Sequence, residues 1–495
     1  MVMRRVKPRR SGSSGGAVRL PGAWSGQQPA EGLAVRVACA VWDEAQAGHS
    51  GMGKALLALG DATVLDHVVG TLRHTAVTGS TGEGGTTVPV LVVVDGHDGA
   101  DAVTCGDAAH GGYHQALRAA ARRLGHVTVC RGQSADGGLG AVLSGVGGVV
   151  ATADAIGAPH VPDAPDVAAV ADVADPPEGA GGVDGVLVWP VAAPLVRAST
   201  CAQLIAAFRR FRAGIVYPVL AGERGYPVIV ATQVLRGMVQ GAGCGGLREQ
   251  LQRMERQGVA VHHVDVADEG ILTALATPAD YQQVRARLAL LHIPTPREQD
   301  ALLDMAGTPQ RVRAHCRRVA RAALALAAHL EATRQGFVSP YAHAVARGAA
   351  GVTGKDVAGV PQATRLDRPL MHAAACLHDI CKGMHGHEEA GGALLVQHGF
   401  PEVARIVAAH GDVAALRLGE AELVMLADRY VRGESLVPLE ERFDEHIRER
   451  AHEPHVVADL VARKERAMRL RDLFEQETGT ALFPLLQRKM LRGTP

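Results

Sequence analysis

The sequence has few aromatic residues, no net charge and no long apolar segment. Phe, Trp and Tyr make up 3% of the 495 residues, so Ala, Val, Leu and Gly must fill the cores. Lys plus Arg and Asp plus Glu both number 51, which gives a formal net charge of +0. This balance gives no sign of a nucleic-acid or membrane-surface partner. No apolar run approaches the roughly 18 residues that cross a bilayer.

The cysteines are also scattered, and the sequence contains no CxxC pair among its eight. This pattern argues against a zinc ribbon and a disulfide scaffold, and it predicts a cytoplasmic protein in a reducing compartment. Residues 1–34 are basic at their start and then rich in Ser, Gly and Pro, without the apolar core of a secretory signal. We interpret them as a disordered basic tail, or as extra sequence from an upstream start codon.

The length predicts two or three domains, because 495 residues exceed what one hydrophobic core usually holds. Residues 35–290 alternate short, uninterrupted apolar runs with helical segments, which is typical of an α/β domain with a mostly parallel sheet. The predicted strands are 35–41, 88–94, 127–130, 186–191, 215–219 and 227–231, and the predicted helices lie near 62–72, 113–124 and 201–212. Residues 151–182, rich in Ala, Asp, Pro and Gly, are predicted to form a loop insertion.

Residues 300–495 are predicted to form an all-α second domain, because helical periodicity replaces the strand pattern there. Thr308-Pro309 is a strong helix start, since Thr can cap a helix and Pro fits its first position. Gly- and Pro-containing stretches predict helix breaks near 336, 351–361, 383–386, 399–401 and 453–454. The mixed-charge run 440–450 is interpreted as a solvated helix face.

Several segments of the first domain carry a family pattern in order. They are Val37-Ala38-Cys39-Ala40-Val41 with Lys54 after a Gly-containing loop, and residues 187–196, 222–227 and 271–281. Together they resemble MobA-like nucleotidyltransferases, which attach GMP or CMP to the molybdenum cofactor. The resemblance implies a Rossmann-like nucleotidyltransferase fold, nucleotide contacts at Gly51 and Lys54, and a Mg-NTP complex as ligand.

The positions where this family carries its metal-binding acidic residues are not acidic here. Ala192, Ala274 and Ala276 stand at those positions, and Tyr226 stands where the family has a histidine. Nucleotidyl transfer depends on Mg²⁺ to neutralise phosphates and position the leaving pyrophosphate, and alanine cannot replace a carboxylate in that role. We therefore predict an impaired transferase domain that persists as a scaffold or as a nucleotide-binding module.

Two alternatives remain open. A carboxylate relocated to Asp43, Asp265 or Asp268 would preserve NTP-dependent transfer of the molybdopterin cytidylyl- or guanylyltransferase type. The chain could instead be a non-catalytic nucleotide-binding accessory protein of molybdenum cofactor maturation, with molybdoenzyme maturation proteins as partners.

The second domain contains an adjacent histidine and aspartate, His378-Asp379, at the end of an apolar helical run. Both side chains are costly to bury unpaired, and both are good ligands for first-row metals. His315 lies on the apolar stripe of an earlier helix, and Asp428 follows an apolar run in a later one. These four residues, in this order, resemble the H…HD…D pattern of the HD superfamily of metal-dependent phosphohydrolases, over residues 305–450.

The resemblance implies that these four residues hold a metal, with Asp379 also catalytic. His387 and His410 fall where two-metal members of the family complete a second site, so one or two divalent ions such as Mn, Fe or Mg are expected. Histidine is frequent in this segment, however, and either residue could belong to an ordinary core. Lys382 could bind phosphate or be a solvated charge. The expected substrate is a nucleotide or a related phosphorylated small molecule with an ester or anhydride bond.

Overall fold

The computed structural model describes residues 37–43, 58–59, 62–64, 66–71, 90–95, 127–132, 184–240, 247–348, 365–411 and 417–491. Gly51 and Lys54 lie outside the described residues, as do the tail 1–34, the predicted helix 113–124 and the predicted insertion 151–182.

A mixed sheet forms the centre of the first domain. Its strands are β1 (Val37–Asp43), β4 (Val90–Asp95), β5 (Val127–Gly132), β6 (Gly185–Pro190), β7 (Ile215–Leu220), β8 (Glu223–Arg224), β9 (Val228–Ala231) and β10 (Val261–Asp265). The order across the sheet is β10-β7-β9-β6-β1-β4-β5, and β8 pairs with β7. A separate hairpin joins β2 (Ala58–Leu59) to β3 (Ala62–Thr63), and residues 66–71 are helical.

The sheet is parallel on one side and antiparallel around β9. Strand β1 pairs in parallel with β4 and β6, and β4 with β5. Strand β9 runs antiparallel to both β6 and β7. The connection from Leu220 to Val228 is too short for the crossover that parallel pairing requires, so β9 must return in the opposite direction. The α/β class is confirmed, with a sheet that is more mixed than the apolar runs alone indicated.

The described part of this domain also contains helices α1 (Ala198–Phe211), α2 (Thr232–Gln240), α3 (Leu247–Arg256) and α4 (Pro278–Leu288). Small residues allow close packing where aromatic side chains are few. A Cβ atom added at Gly185 in β6 would lie 2.6 Å from the ring of Phe208 in α1, so glycine is required for the helix to reach the sheet.

The second domain is helical. It contains α5 (Pro296–Met305), α6 (Gln310–Gly348), α7 (Arg368–Leu377), α8 (His387–Gln397), α9 (Pro401–Ala409), α10 (Glu420–Arg429), α11 (Leu439–Glu449), α12 (Pro454–Thr478) and α13 (Leu482–Leu491). The predicted break near Gly336 is wrong, because α6 continues through it. One glycine lowers helix stability by only about 1 kcal/mol, which a long helix can absorb.

A short hairpin of β11 (Val431–Arg432) and β12 (Ser435–Leu436) interrupts the helices and was not expected. Its two-residue strands are too short to produce an alternating pattern in the sequence. No helix among the described residues combines the length and the apolar character that a membrane span requires. The cysteines with described side chains, Cys201, Cys316, Cys376 and Cys381, are buried free thiols.

Candidate metal centre

Three helices bring together His315 on α6, His378 at the end of α7 and Asp428 on α10. The Nε2 atom of His315 lies 3.0 Å from Asp428 Oδ1, and the Nε2 atom of His378 lies 3.7 Å from the same oxygen. The potential ligand atoms of these three residues all lie within 4.8 Å of one another. Ligands about 2.1 Å from a shared ion are separated by roughly 3 to 3.5 Å, so these distances suit a common ion.

A second group lies beside the first, formed by His387 at the start of α8 and His410 directly after α9. Their Nε2 atoms lie 3.3 Å and 3.6 Å from Asp379 Oδ1. The other oxygen of Asp379, Oδ2, lies 3.6 Å from His378 Nε2 and 3.9 Å from His315 Nε2. Asp379 therefore lies among all four imidazoles, with Oδ1 nearer His387 and His410 and Oδ2 nearer His378 and His315. His378, Asp379 and His410 also form a metal-compatible group of their own, since the His378 and His410 rings are 4.9 Å apart. The predicted metal ligands of the second domain converge on one place.

Backbone carbonyls fix the orientation of three of the rings. The Nδ1 atom of His378 donates to the Ala375 carbonyl at 2.8 Å, and that of His410 donates to the Val407 carbonyl at 2.6 Å. The Nδ1 atom of His315 lies 3.1 Å from the Gly433 carbonyl oxygen in the β11–β12 turn. A hydrogen bond of this kind places the proton of a neutral ring on Nδ1 and leaves the Nε2 lone pair free for a metal.

The position of His378 follows from local sequence. Helix α7 begins after Asp367, whose carboxylate accepts the Leu370 N–H at 2.9 Å, and its early proline suits the first turn. Most of the remaining residues of α7 are buried, so the helix is held in the core and its last residue also lies there. The end of α7 thus places His378 and Asp379 side by side in an apolar interior.

The buried polar atoms of the centre fit a cation. His378 Nε2 is buried and has no hydrogen-bond partner, although it is directed toward the carboxylates of Asp379 and Asp428. A buried nitrogen lone pair that faces carboxylates is unfavourable without a positive charge between them. A proton or a divalent ion supplies that charge, and the donor set of imidazoles and carboxylates is one that first-row divalent metals prefer.

The carboxylates are held in the ionised form. Burial opposes ionisation of Asp379, but hydrogen bonds with His387 and His410 hold its pKa well below the usual range. Burial also opposes ionisation of Asp428, and there the charge of Arg442 and the contacts with the neighbouring histidines lower the pKa strongly. Both side chains therefore remain available as anionic ligands at neutral pH.

Burial alone would lower the pKa of the His378 ring. The neighbouring Cys316 sulfur and the carboxylates of Asp428 and Asp379 outweigh burial and raise this pKa well above its usual value. The metal-free centre thus binds a proton at His378 near neutral pH, at the place where a metal would displace it.

Sequence reasoning missed Glu388, Arg429 and Arg442. Glu388 Oε2 lies 3.1 Å from His387 Nδ1, and Glu388 forms a third metal-compatible group with His387 and His410. Its place beside His387 was the only signal available. Arg429 donates to Asp428 Oδ2 at 3.0 Å, and Arg442 donates to the Asp428 carbonyl at 2.6 Å. Arg442 comes from the 440–450 run, so the interpretation of that run as a solvated face is wrong at this residue.

Lys382 lies at the edge of the centre. Its Nζ atom is 3.1 Å from Asp379 Oδ1, and its side chain is 49% exposed. The lysine is therefore close enough to share the site with a substrate and free enough to turn toward solvent. Ala192 and residues 274–276, where the family resemblance predicts acidic residues, also lie together, because the Leu275 N–H donates to the Ala192 carbonyl at 2.7 Å and joins the two segments.

Asp268, one of the proposed relocated carboxylates, is already engaged in hydrogen bonds with Arg197 and Thr200. It is buried and accepts hydrogen bonds from the Arg197 backbone and side chain and from the Thr200 hydroxyl, at 2.6 to 3.0 Å. Within the described part of the chain, the His, Cys, Asp and Glu groups close enough to hold a metal all belong to the helical domain.

Comparisons with known proteins agree with the two-part architecture. The sequence matches the model of the MobA-like NTP transferase domain over residues 47–264 and the model of the HD domain over residues 312–433. No curated protein matches the sequence.

Solved structures similar to part of the chain include Rv0371c from Mycobacterium tuberculosis H37Rv, with 15% identity, coverage of 51% of this chain and 99% of that chain, and a TM-score of 0.33. A cytidylyltransferase from Leptospira borgpetersenii has 12% identity, coverage of 52% and 88%, and a TM-score of 0.33. The 2-C-methyl-D-erythritol 4-phosphate cytidylyltransferase from Thermus thermophilus has 15% identity, coverage of 52% and 100%, and a TM-score of 0.29. The family matches, together with the two folds, show that this chain joins a MobA-like NTP transferase domain to an HD domain.

Proposed function

We propose that this chain is a metal-dependent phosphohydrolase whose working centre is the HD site. One observation carries the proposal: Asp379 lies among four histidines, with Oδ2 nearer His315 and His378 and Oδ1 nearer His387 and His410. A shared carboxylate between two ligand groups suits a pair of divalent ions that act on one phosphoryl group. The substrate class that fits is a phosphate ester or anhydride of a nucleotide or a related small molecule.

The residues divide into two ligand sets in this proposal. His315, His378 and Asp428 would hold one ion, and His387 and His410 the other, with Asp379 shared between them. Bound Mn, Fe or Mg ions would supply Lewis-acid activation of water and of the phosphoryl group. The backbone carbonyls behind His315, His378 and His410 keep their rings aimed at the centre, which lowers the cost of ordering on binding.

Other side chains have supporting roles. Arg429 and Arg442 hold Asp428 in one orientation and balance its charge. Lys382, half exposed beside Asp379 Oδ1, can donate to a phosphate oxygen that enters from solvent. The buried apolar residues of α7 border the centre, because His378 and Asp379 directly follow this helix. Positioning and charge compensation by fixed groups are the main protein contributions that phosphoryl transfer requires.

The sheet domain would contribute nucleotide binding, dimerisation or substrate selection. The adjacency of Ala192 to the 274–276 segment supports the alignment that places three alanines at acidic positions of the family. Asp268 is bound to Arg197, so a relocated metal carboxylate would have to come from Asp43 or Asp265. The domain limits 35–290 and 300–495, a cytoplasmic location and partners in molybdenum cofactor maturation stay predictions.

Removal of the HD pair should abolish both metal binding and hydrolysis. In His378→Ala/Asp379→Ala, we expect manganese content to fall to background and kcat/KM for a generic phosphate ester to fall by about a thousandfold, since a lost metal removes several kcal/mol of transition-state stabilisation. The matched control is His372→Ala on the same helix, whose exposed histidine lies outside the site. Full manganese occupancy in the double variant, measured by elemental analysis, would refute the metal assignment.

The raised pKa of His378 predicts that the stability of the metal-free protein falls as pH rises, while its affinity for manganese increases. In the metal-free protein, the stability gained from protonated His378 is fully present below the unfolded value of about 6.5 and is lost as pH rises through the folded value. Manganese must displace that proton, so its affinity should increase over the same range. Thermal unfolding with and without Mn²⁺ between about pH 6 and pH 9 measures both trends. A metal-induced stabilisation that is independent of pH would contradict the assignment.

The sheet domain should not carry out nucleotidyl transfer at a significant rate, because three family carboxylates are absent. With Mg²⁺ and CTP or GTP, and a molybdopterin acceptor, we expect no pyrophosphate above background. Lys54→Ala provides the control, since it removes the remaining phosphate-binding side chain that the family resemblance implies. Pyrophosphate release by the natural protein that disappears in Lys54→Ala would show that transfer survives with other ligands.

A further inference from the structure

The two histidines of the second ligand group sit at one end of a helical hairpin. We call helices α8 and α9 with their connection, residues 387–409, the second-site hairpin. His387 is its first residue, and His410 directly follows its last. The connection between the helices, residues 398–400, lies at the opposite, closed end.

The closed end of the second-site hairpin docks on the sheet domain at the start of α1. The Arg197 guanidinium carbon lies 4.3 Å from the centre of the Phe400 ring, which is a cation–π contact. Gln203 Nε2 donates to the Gln397 carbonyl at 3.2 Å. Gly399 has φ +86, and a Cβ atom there would lie 2.7 Å from Ser199 Oγ. A methyl group at this position would therefore require the Ser199 side chain to move, and the positive φ would be strained for any other residue.

The platform for this contact is rigid. Arg197 is buried and donates to Asp268 Oδ1 at 3.0 Å and to Glu298 Oε1 at 2.7 Å. Glu298 is buried on α5 and also accepts hydrogen bonds from Arg287 and from the Glu269 N–H. The guanidinium therefore has little freedom to follow a displaced phenylalanine ring, because movement would leave buried charges unpaired.

The second-site hairpin is itself stiff. A Cβ atom at Gly392 of α8 would lie 3.1 Å from the Ala408 Cβ atom of α9, so the two helices are in close contact. Gly391 packs in the same way against Ile380, with 3.0 Å between its added Cβ and Ile380 Cγ2. Close-packed contacts of this kind transmit displacement rather than absorb it. A shift at the closed end should therefore move His387 and His410 relative to Asp379.

The first ligand group is held chiefly by elements outside this hairpin, although the His378 ring packs edge-on against the His410 ring, and Arg429 donates to the Gly411 carbonyl as well as to Asp428. These ligands, His315, His378 and Asp428, belong to α6, α7 and α10. The rings of His315 and His378 are oriented by the carbonyls of Gly433 and Ala375, and Asp428 accepts a hydrogen bond from Arg429. Displacement of the second-site hairpin would consequently affect the two groups unequally.

We propose that docking of the second-site hairpin on Arg197 positions His387 and His410, so that the sheet domain sets the affinity of the second metal ion. This inference rests on the two-ion centre of the proposed function. Arg197 and Phe400 are positioning residues, because neither touches the metal ligands. The sheet domain thereby acts on the HD centre without performing chemistry of its own.

Manganese titration of the full chain tests the inference, with free Mn²⁺ followed by its electron paramagnetic resonance signal. The natural protein should bind two ions. In Phe400→Leu, which removes the aromatic face but keeps apolar volume, the dissociation constant of the second ion should rise roughly tenfold, as it does when outer contacts of metal ligands are lost. The first ion should be unaffected.

Gly399→Ala provides an independent variant, because its methyl group would press against Ser199. It should weaken binding of the second ion in the same way, and Gly399→Ala/Ser199→Gly should recover part of the affinity for that ion. Gly479→Ala is the matched control, since Gly479 has φ +62 but no atom within 4 Å of an added Cβ, and it should leave both ions unchanged. Thermal unfolding of each variant reports whether it is folded.

The outcomes separate this inference from the proposed function. If the affinities for both ions fall equally, or if neither falls in folded Phe400→Leu and Gly399→Ala, the positioning role is overturned. A single bound ion in the natural protein would also overturn it and leave a one-metal phosphohydrolase. Absence of any manganese binding by the natural protein would refute the proposed function itself.

Discussion

The carboxylate of Asp379 is the constraint on which the HD centre depends. A buried carboxylate is costly unless cations or hydrogen-bond donors compensate it, and here Lys382 and four imidazoles surround it. The helices must therefore arrive at angles that place all these groups around one side chain. Each of its oxygens lies nearer one set of histidines, an arrangement that suits the pair of cations and the phosphate-bond hydrolysis that we propose.

The two domains divide their tasks unequally. The sheet domain has well-packed strands, and Ala192, Ala274 and Ala276 stand where its resemblance to the transferase family predicts acidic residues. Its most heavily bonded buried charges, Arg197 with Asp268 and Glu298, lie where the chain passes from sheet to helices. Such an ion cluster contributes little net stability but is specific in geometry, because each partner leaves a buried charge if displaced. We infer that the sheet domain can in this way fix the geometry of its neighbour.

Features with a short-range cause could be predicted from the sequence. The uninterrupted apolar strands were such features, and the order of His315, His378, Asp379 and Asp428 suggested a shared centre that the fold then assembled. Features with a long-range cause could not. Arg442 lies in a charged run that gives no sign of a distant buried carboxylate, since its partner is set only by packing of the helices. The contacts between the domains could not be predicted from the sequence for the same reason.

Anomalous diffraction at the manganese absorption edge, from crystals of the full chain grown with Mn²⁺, would locate the bound ions. We expect two anomalous peaks, one bounded by His315, His378 and Asp428 and the other by His387 and His410, with Asp379 between them. Peaks confined to the sheet domain, or none near Asp379, would contradict this expectation.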